Sequence, residues 1–390
     1  MIKISQPCVG EEEIASIKLA FETKYLGLGI KVKEFEKALQ DFLNPENPPF
    51  VTCVSTGTSA LHLACQAIDL KEGDEVLVPT ITYLASFHAI TATGAAPIAV
   101  DVQPDTGCIC PKDTIKRLSS KTKAIMPVHY GSHPGPLEEI YSIAKKHNLR
   151  IIEDAAHSFG GTVNGKKVGD EGDIICFSFD GVKNITCAEG GAVVTRDPKV
   201  FQRVSDLRLL GVFKDSEQRY AGKRSYDFDC VEQGWRYHMS NVNAAIGLAQ
   251  LKKIDTFAKI RQNYFKLYTK TLNKHIGTPL PLDIDNTIPH PYIFNLTNPG
   301  LLDIETMRSK RNLLMEKLLE RGIESGLHYK PNHLVSFFKT HNTDPLPVAE
   351  DLWSRMITFP LHCNLTEDDI LRVVQNVNEL YEEIFIKEIR

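Results

Sequence analysis

A chain of 390 residues is too long for a single hydrophobic core, so a larger and a smaller domain are expected. Its 45 Lys and Arg against 49 Asp and Glu leave a formal net charge of -4 and no dense basic run, which excludes a field for nucleic acid. Apolar residues at 42% fit a globular class, no run nears the ~18 residues of a membrane span, and nine cysteines lack metal spacing, so the expectation is a cytoplasmic, metal-free protein with no leader.

In chain order, Ile14, Ile17 and Phe21 recur at helical spacing across Glu11 to Glu22, and Val32, Phe35, Leu39 and Phe42 repeat the pattern. Between them Tyr25-Leu26-Gly27-Leu28-Gly29 is a flexible joint, and Asn44 to Pro49, with three prolines, is a loop. Phe50 to Val54 reads as a strand, and Ser55-Thr56-Gly57-Thr58 opens a helix through Leu61, Cys65 and Ile68. Such a helix start is either an ordinary N-cap or a phosphate site, because free amides and the helix dipole point the same way there. Glu75 to Val78, Pro97 to Val100 and Ala124 to Val128 are further strands, and Pro136 to His147 is a helix. Strands alternating with helices at this spacing predict a mostly parallel sheet.

The densest signal lies between Arg150 and Asp197. Ile151-Ile152 is a buried strand that ends on Glu153-Asp154, and Asn164-Gly165 between short apolar-led runs marks a tight hairpin. A strand from Asp173 to Phe179 precedes Lys183, and Glu189-Gly190-Gly191 turns into a third strand, Ala192 to Thr195. One carboxylate and one lysine therefore stand just past strands, where open α/β sheets place ligands. The flanks of Lys183 (FSF, GV, ITC) are nearly uncharged, so its amine belongs in or near an interior. A buried lysine requires a partner or a reaction. Pyridoxal phosphate needs such a pair, a lysine for its Schiff base and an acid against its pyridinium nitrogen. An anion about 4 Å from that nitrogen contributes on the order of 4 kcal/mol at a surface-like dielectric.

Val200 to Leu210 is a helix, and the polar run from Gly211 to Asp229 carries Lys214, Arg219, Lys223 and Arg224. These four are either solvated or recognise a diphosphate, whose charges suit arginine forks. Asn243 to Ile254 and Phe257 to Leu272 are helices, and Thr278 to Pro291, with four prolines, reads as a linker-like loop. A strand from Tyr292 to Leu296 and helices from Ile304 to Arg321 and Asp368 to Ile386 complete the chain. Residues 1–255 are thus expected as the large domain and 256–390 as the smaller α+β one.

EDAAHS, FSFDGVKN and AEGGAVVT, in this order and spacing, resemble the DegT/DnrJ/EryC/StrS family of sugar aminotransferases. The likeness runs from GEEE near the start to TFPLH near the end. It implies a fold-type I pyridoxal phosphate enzyme, α/β with a large mostly parallel sheet domain and a smaller C-terminal α+β domain. It also implies a homodimer with active sites at the interface. The implied reaction moves the amino group of L-glutamate to a nucleotide-linked ketosugar through the pyridoxamine phosphate form. A dTDP-4-keto-6-deoxyhexose is the expected acceptor, with lipopolysaccharide O-antigen or a similar glycan downstream. A related dehydratase branch carries histidine where this chain has Lys183.

The resemblance also assigns residues. Lys183 carries the cofactor and Asp154 faces its ring nitrogen. Gly57 and Thr58, in a segment similar to the family's SGTAAL, hold the phosphate together with Ser178. Tyr83 stacks on the ring, and His157, where glutamine is common, meets the phenolic oxygen. Leu28, Gly29, His328, Tyr329 and His333 fall on segments near the substrate cleft. In QGWRYHMS, Arg236 occupies the asparagine position of the family's GYNYRMS, which reaches the phosphate of the neighbouring subunit's cofactor, and His238 occupies the arginine position.

Overall fold

The computed structural model describes residues 1–223, 226–230, 232–341 and 344–386. The chain enters through α1 (Glu11–Glu22) and α2 (Ile30–Leu43) and then alternates. In order come β1 (Phe50–Val54), α3 (Gly57–Ala67), β2 (Glu75–Pro79), α4 (Leu84–Thr91), β3 (Ala96–Val100) and α5 (Pro111–Lys116). They are followed by β4 (Thr122–Ile125), α6 (Leu137–His147) and β5 (Arg150–Asp154). A hairpin of β6 (Thr162–Val163) and β7 (Lys166–Lys167) precedes β8 (Ile174–Ser178) and β9 (Gly191–Thr195). Asn164 and Gly165 both take positive φ, 51° and 77°, as a two-residue turn matched to strand twist requires.

Among the described residues, seven of these strands form one sheet in the order β1-β9-β8-β5-β4-β2-β3. From β3 across to β8 neighbours run parallel, while β9 is antiparallel to both β8 and β1. Every residue of β8 and β9 is buried, as expected of strands covered on both faces. The strand expected to reach Val128 leaves the ladder after Ile125, because Pro127 has no N–H to donate; Val128 rejoins as a single bridge to Asp154.

The second half begins with α7 (Pro198–Leu207), α8 (Ser216–Tyr220), α9 (Asn241–Leu251) and α10 (Ile254–Thr271). An antiparallel sheet of β10 (Gly277–Pro279), β11 (Tyr292–Leu296) and β12 (Met356–Phe359) packs with α11 (Ile304–Glu320), α12 (Pro347–Arg355) and α13 (Glu367–Tyr381). The segment expected as a linker is docked: β10 runs into its start, Asn286 O accepts from Thr162 N at 2.8 Å, and Ile288 and His290 are buried. The two halves also exchange side chains. Ile2 bridges Ile323 and is buried with Phe265 and Tyr292, while Phe338 and Met356 are buried with Val78 and Phe87. Among the described residues no helix is long and apolar enough to cross a membrane, and no cluster of metal-binding side chains is present. All nine cysteines are free thiols.

Candidate active site

Two parallel strands, β5 and β8, end side by side on Asp154 and Ser178, and α3 begins opposite them at Gly57. A cavity of about 490 Å³ opens there. Gly57, Thr58, Tyr83, Asp154, His157, Ser178, Lys183, His328 and Tyr329 line it together, although they span more than half of the chain.

The α3 start is built by its own side chains. Thr56 Oγ1 accepts from Ser59 N at 3.0 Å and Thr56 N donates to Ser59 Oγ at 3.0 Å, a reciprocal capping box. The amides of Gly57 and Thr58 have no acceptor among the described residues. Glycine is needed at 57, since a Cβ there would lie 2.7 Å from Ser178 Cβ. An uncommitted pair of amides at the positive end of a helix dipole is a place for an anion.

Asp154 is buried; its Oδ1 accepts from Ala156 N at 3.2 Å and its Oδ2 from Ser86 Oγ at 2.7 Å. Lys183 is half-buried between Asp154 and Asp180. Burial holds its ammonium below the ordinary lysine range, and the two carboxylates act in the opposite direction. Glu189, at the mouth, is pushed upward by burial and by Asp180.

The opposite wall is aromatic and imidazole. His157 Nε2 lies 3.2 Å from Tyr329 OH, and its ring centroid lies 4.9 Å from that of His290. His328 Nδ1 meets Thr358 Oγ1 at 2.9 Å, and Tyr130 OH donates to the His328 carbonyl. Burial first, and then the Lys183 charge, drives His157, His290 and His328 below the ordinary imidazole range, His328 to about 4. At neutral pH this wall is polar but uncharged. Among the described residues, Nδ1 of both His157 and His290 is buried without a hydrogen-bond partner. Tyr83 stands at the mouth, 59% exposed, with its ring 5.6 Å from that of Tyr329.

Residues 7–378 match the model of the DegT/DnrJ/EryC1/StrS aminotransferase family. The chain belongs to that family. MJ1066 of Methanocaldococcus jannaschii is 32% identical over 381 residues, 97% of each chain. Spr1654 of Streptococcus pneumoniae in its pyridoxamine phosphate form superposes with a TM-score of 0.90 at 27% identity, covering 100% of both chains. PseC of Helicobacter pylori, an aminotransferase involved in the biosynthesis of pseudoaminic acid, gives 0.88 at 27% identity over 98% of this chain and 99% of its own.

This aminotransferase therefore uses pyridoxal phosphate. The side chains present fit such a cofactor: an amine, a buried carboxylate, uncommitted amides at a helix start and two unpartnered imidazole nitrogens converge on one cavity. Other candidates lie elsewhere in the single chain. Leu28 is buried in the core under α2, and Gly29 caps that helix with no room for a Cβ, which would sit 2.5 Å from Asn241 Nδ2. Arg219 and Arg236 line a separate cleft of about 240 Å³ with His238. Lys214 stands beside the Phe213 ring and Lys223 is exposed, while Arg224 lies outside the described residues. His333 is buried away from the cavity between Thr80 Oγ1 and Glu350.

Four residues at or just behind the site went unread in the sequence: Thr82, Ser86, Asp180 and His290. Asp180 stands two residues past the end of β8, so the strand-end rule that singled out Asp154 would have found it. His290 had no local signal, because its segment becomes a wall only by docking against the hairpin and the Ser132 loop.

Proposed function

We propose that this aminotransferase carries the amino group of L-glutamate to the keto carbon of a nucleotide-linked sugar. The acceptor in this reading is a dTDP-4-keto-6-deoxyhexose and the product a dTDP-4-amino-4,6-dideoxyhexose. The observation that supports it most is the convergence of Lys183, Asp154 and the free α3 amides on one cavity of about 490 Å³, within the ~300–1,000 Å³ typical of cofactor and ligand sites.

In this reading Gly57, Thr58 and Ser178 hold the cofactor's phosphate, Asp154 faces its ring nitrogen, Tyr83 covers its ring and His157 meets its phenolic oxygen. Bound there, pyridoxal phosphate supplies an electron sink for the bond broken at the donor's α-carbon. Lys183 does the proton work. Its Nζ, less basic than an exposed lysine, takes the proton from the α-carbon of glutamate and would pass it to the cofactor carbon that carried the aldehyde. In the second half it delivers a proton to the sugar carbon that gains nitrogen. Neutral His290 and His328, with Tyr329, bind sugar hydroxyls without competing with Lys183 for charge. The enzyme works in the cytoplasm as a homodimer, and the partner subunit's Arg236 adds a cation at the phosphate. Arg219, with Lys214, Lys223 and Arg224, meets the nucleotide diphosphate.

Incubation with L-glutamate and a panel of 3-keto and 4-keto sugars linked to dTDP, UDP or GDP, read by product mass, tests the reading. An amine product from the dTDP-4-keto-6-deoxyhexose is expected. Amination of a free inosose, with no product from any nucleotide sugar, would overturn it.

A further inference from the structure

Ser86 lies on α4, three residues after Tyr83, and is fully buried at 0% exposure. Its Oγ donates to Asp154 Oδ2 at 2.7 Å, and Thr82 Oγ1 stands 2.8 Å from the same Oγ. An ionised carboxylate can only accept, so the single Ser86 proton is committed to Asp154 and Thr82 is the donor in the second bond. The chain of hydroxyls therefore has one direction, from Thr82 through Ser86 into the carboxylate. Its origin is held by Asn332, whose Nδ2 donates to Thr80 O at 3.1 Å and to Thr82 O at 2.8 Å. Among the described residues, Asp154 otherwise accepts only from Ala156 N, at a looser 3.2 Å.

We infer that Ser86 is a positioning residue for catalysis: its hydroxyl fixes the orientation of the Asp154 carboxylate toward the cofactor's ring nitrogen. The inference rests on the proposed role of Asp154. Burial alone raises the proton affinity of a carboxylate, and hydrogen bonds to the charged form lower it. The ionisable groups coupled to Asp154 are Lys183 in the loop after β8, Tyr329 on the opposite wall and Cys176 on β8. Only Lys183 is a cation, so hydrogen-bond donors carry much of the task. Without the Ser86 hydroxyl, the carboxylate loses its shortest donor and its fixed aim at the position of the ring nitrogen. The electron sink then weakens, although nothing that touches substrate has changed.

The test loads wild type, Ser86→Ala, Ser86→Thr and Asp154→Asn with cofactor labelled with ¹⁵N in the ring, and reads the nitrogen shift near pH 7. Ser86→Ala should move toward the unprotonated value and lose roughly 10- to 100-fold in kcat, the range of a lost hydrogen bond to a charged group, with KM for glutamate nearly unchanged. Ser86→Thr should restore both. If the Ala variant does not fold, Ser86→Cys, a weak donor of similar size, should give an intermediate shift. A wild-type shift in Ser86→Ala or Ser86→Cys, beside a deprotonated ring in Asp154→Asn, overturns the inference and leaves the Asp154 role standing. A protonated ring in Asp154→Asn overturns that role, and the inference with it.

Discussion

Around the cavity at Lys183 the acidic side chains are Asp154, Asp180 and Glu189, the amine is one, and burial keeps the imidazoles neutral. In the smaller cleft at Arg219 the proportions reverse: Arg219 and Arg236 line it with one carboxylate, Asp215, which pairs with Arg219. There, too, His238 is neutral, pushed down to about 4 by burial and by Arg236, Arg208 and Arg219. The first pocket has the chemistry, and among the described residues Lys183 is its one cation against the anionic cofactor and the proposed dicarboxylic donor. The second has the charge and no lysine to react. A second copy of the chain that lays its cleft against the cavity would bring the two together. The homodimer, proposed from the family resemblance, would make use of that complementarity.

The largest effect should come from the chemical pocket. Lys183→Ala is expected to abolish turnover by on the order of 10⁴-fold or more, the scale on which loss of a covalent catalytic group acts, with an unchanged circular dichroism spectrum. In the charged cleft, Arg236→Ala should weaken cofactor binding roughly 10- to 100-fold, as loss of a charge-assisted contact does. Mixing the two variants sharpens the comparison, because a mixed dimer carries one site with both Lys183 and the partner subunit's Arg236. Activity near one site in four should return on statistical exchange. No recovery would place the cleft outside the reaction.

Smaller effects concern the walls. Gly57→Ala puts a methyl group 2.7 Å from Ser178 Cβ, and equilibrium unfolding should show a loss of about 1–3 kcal/mol, as overpacking does. The histidine wall predicts a pH slope. His157, His290 and His328 hold protons less tightly when folded than the ordinary value of 6.5, so below that value the unfolded chain binds more protons. Their contribution is intact above pH 6.5 and is lost as pH falls toward about 4, where His328 titrates. The thermal midpoint should fall across that window, and His328→Gln should flatten the fall.

Much of this arrangement was legible because the information is local. Glu11–Glu22, Phe50–Val54 and Tyr292–Leu296 end where the apolar period and the flanking breakers say they should. Asp154 and Lys183 are close in the chain and follow strand ends. What stayed hidden was set by distant packing. α4 carries no strong period, β12 acquires strand character by pairing with β11, and Leu28 looked like part of a flexible joint until α2 buried it. The docking of Thr278 to Pro291 is the sharpest case. Prolines there signalled irregular backbone correctly, yet irregular backbone can still build a wall, and His290 stands on it.

One measurement bears most directly on the account. Holoenzyme is reduced with borohydride, digested, and the cofactor-bearing peptide is identified by mass spectrometry. A single adduct on the peptide containing Lys183, absent when the enzyme is first converted by glutamate, is the predicted result. An adduct on another lysine, or none on fully loaded enzyme, would contradict it.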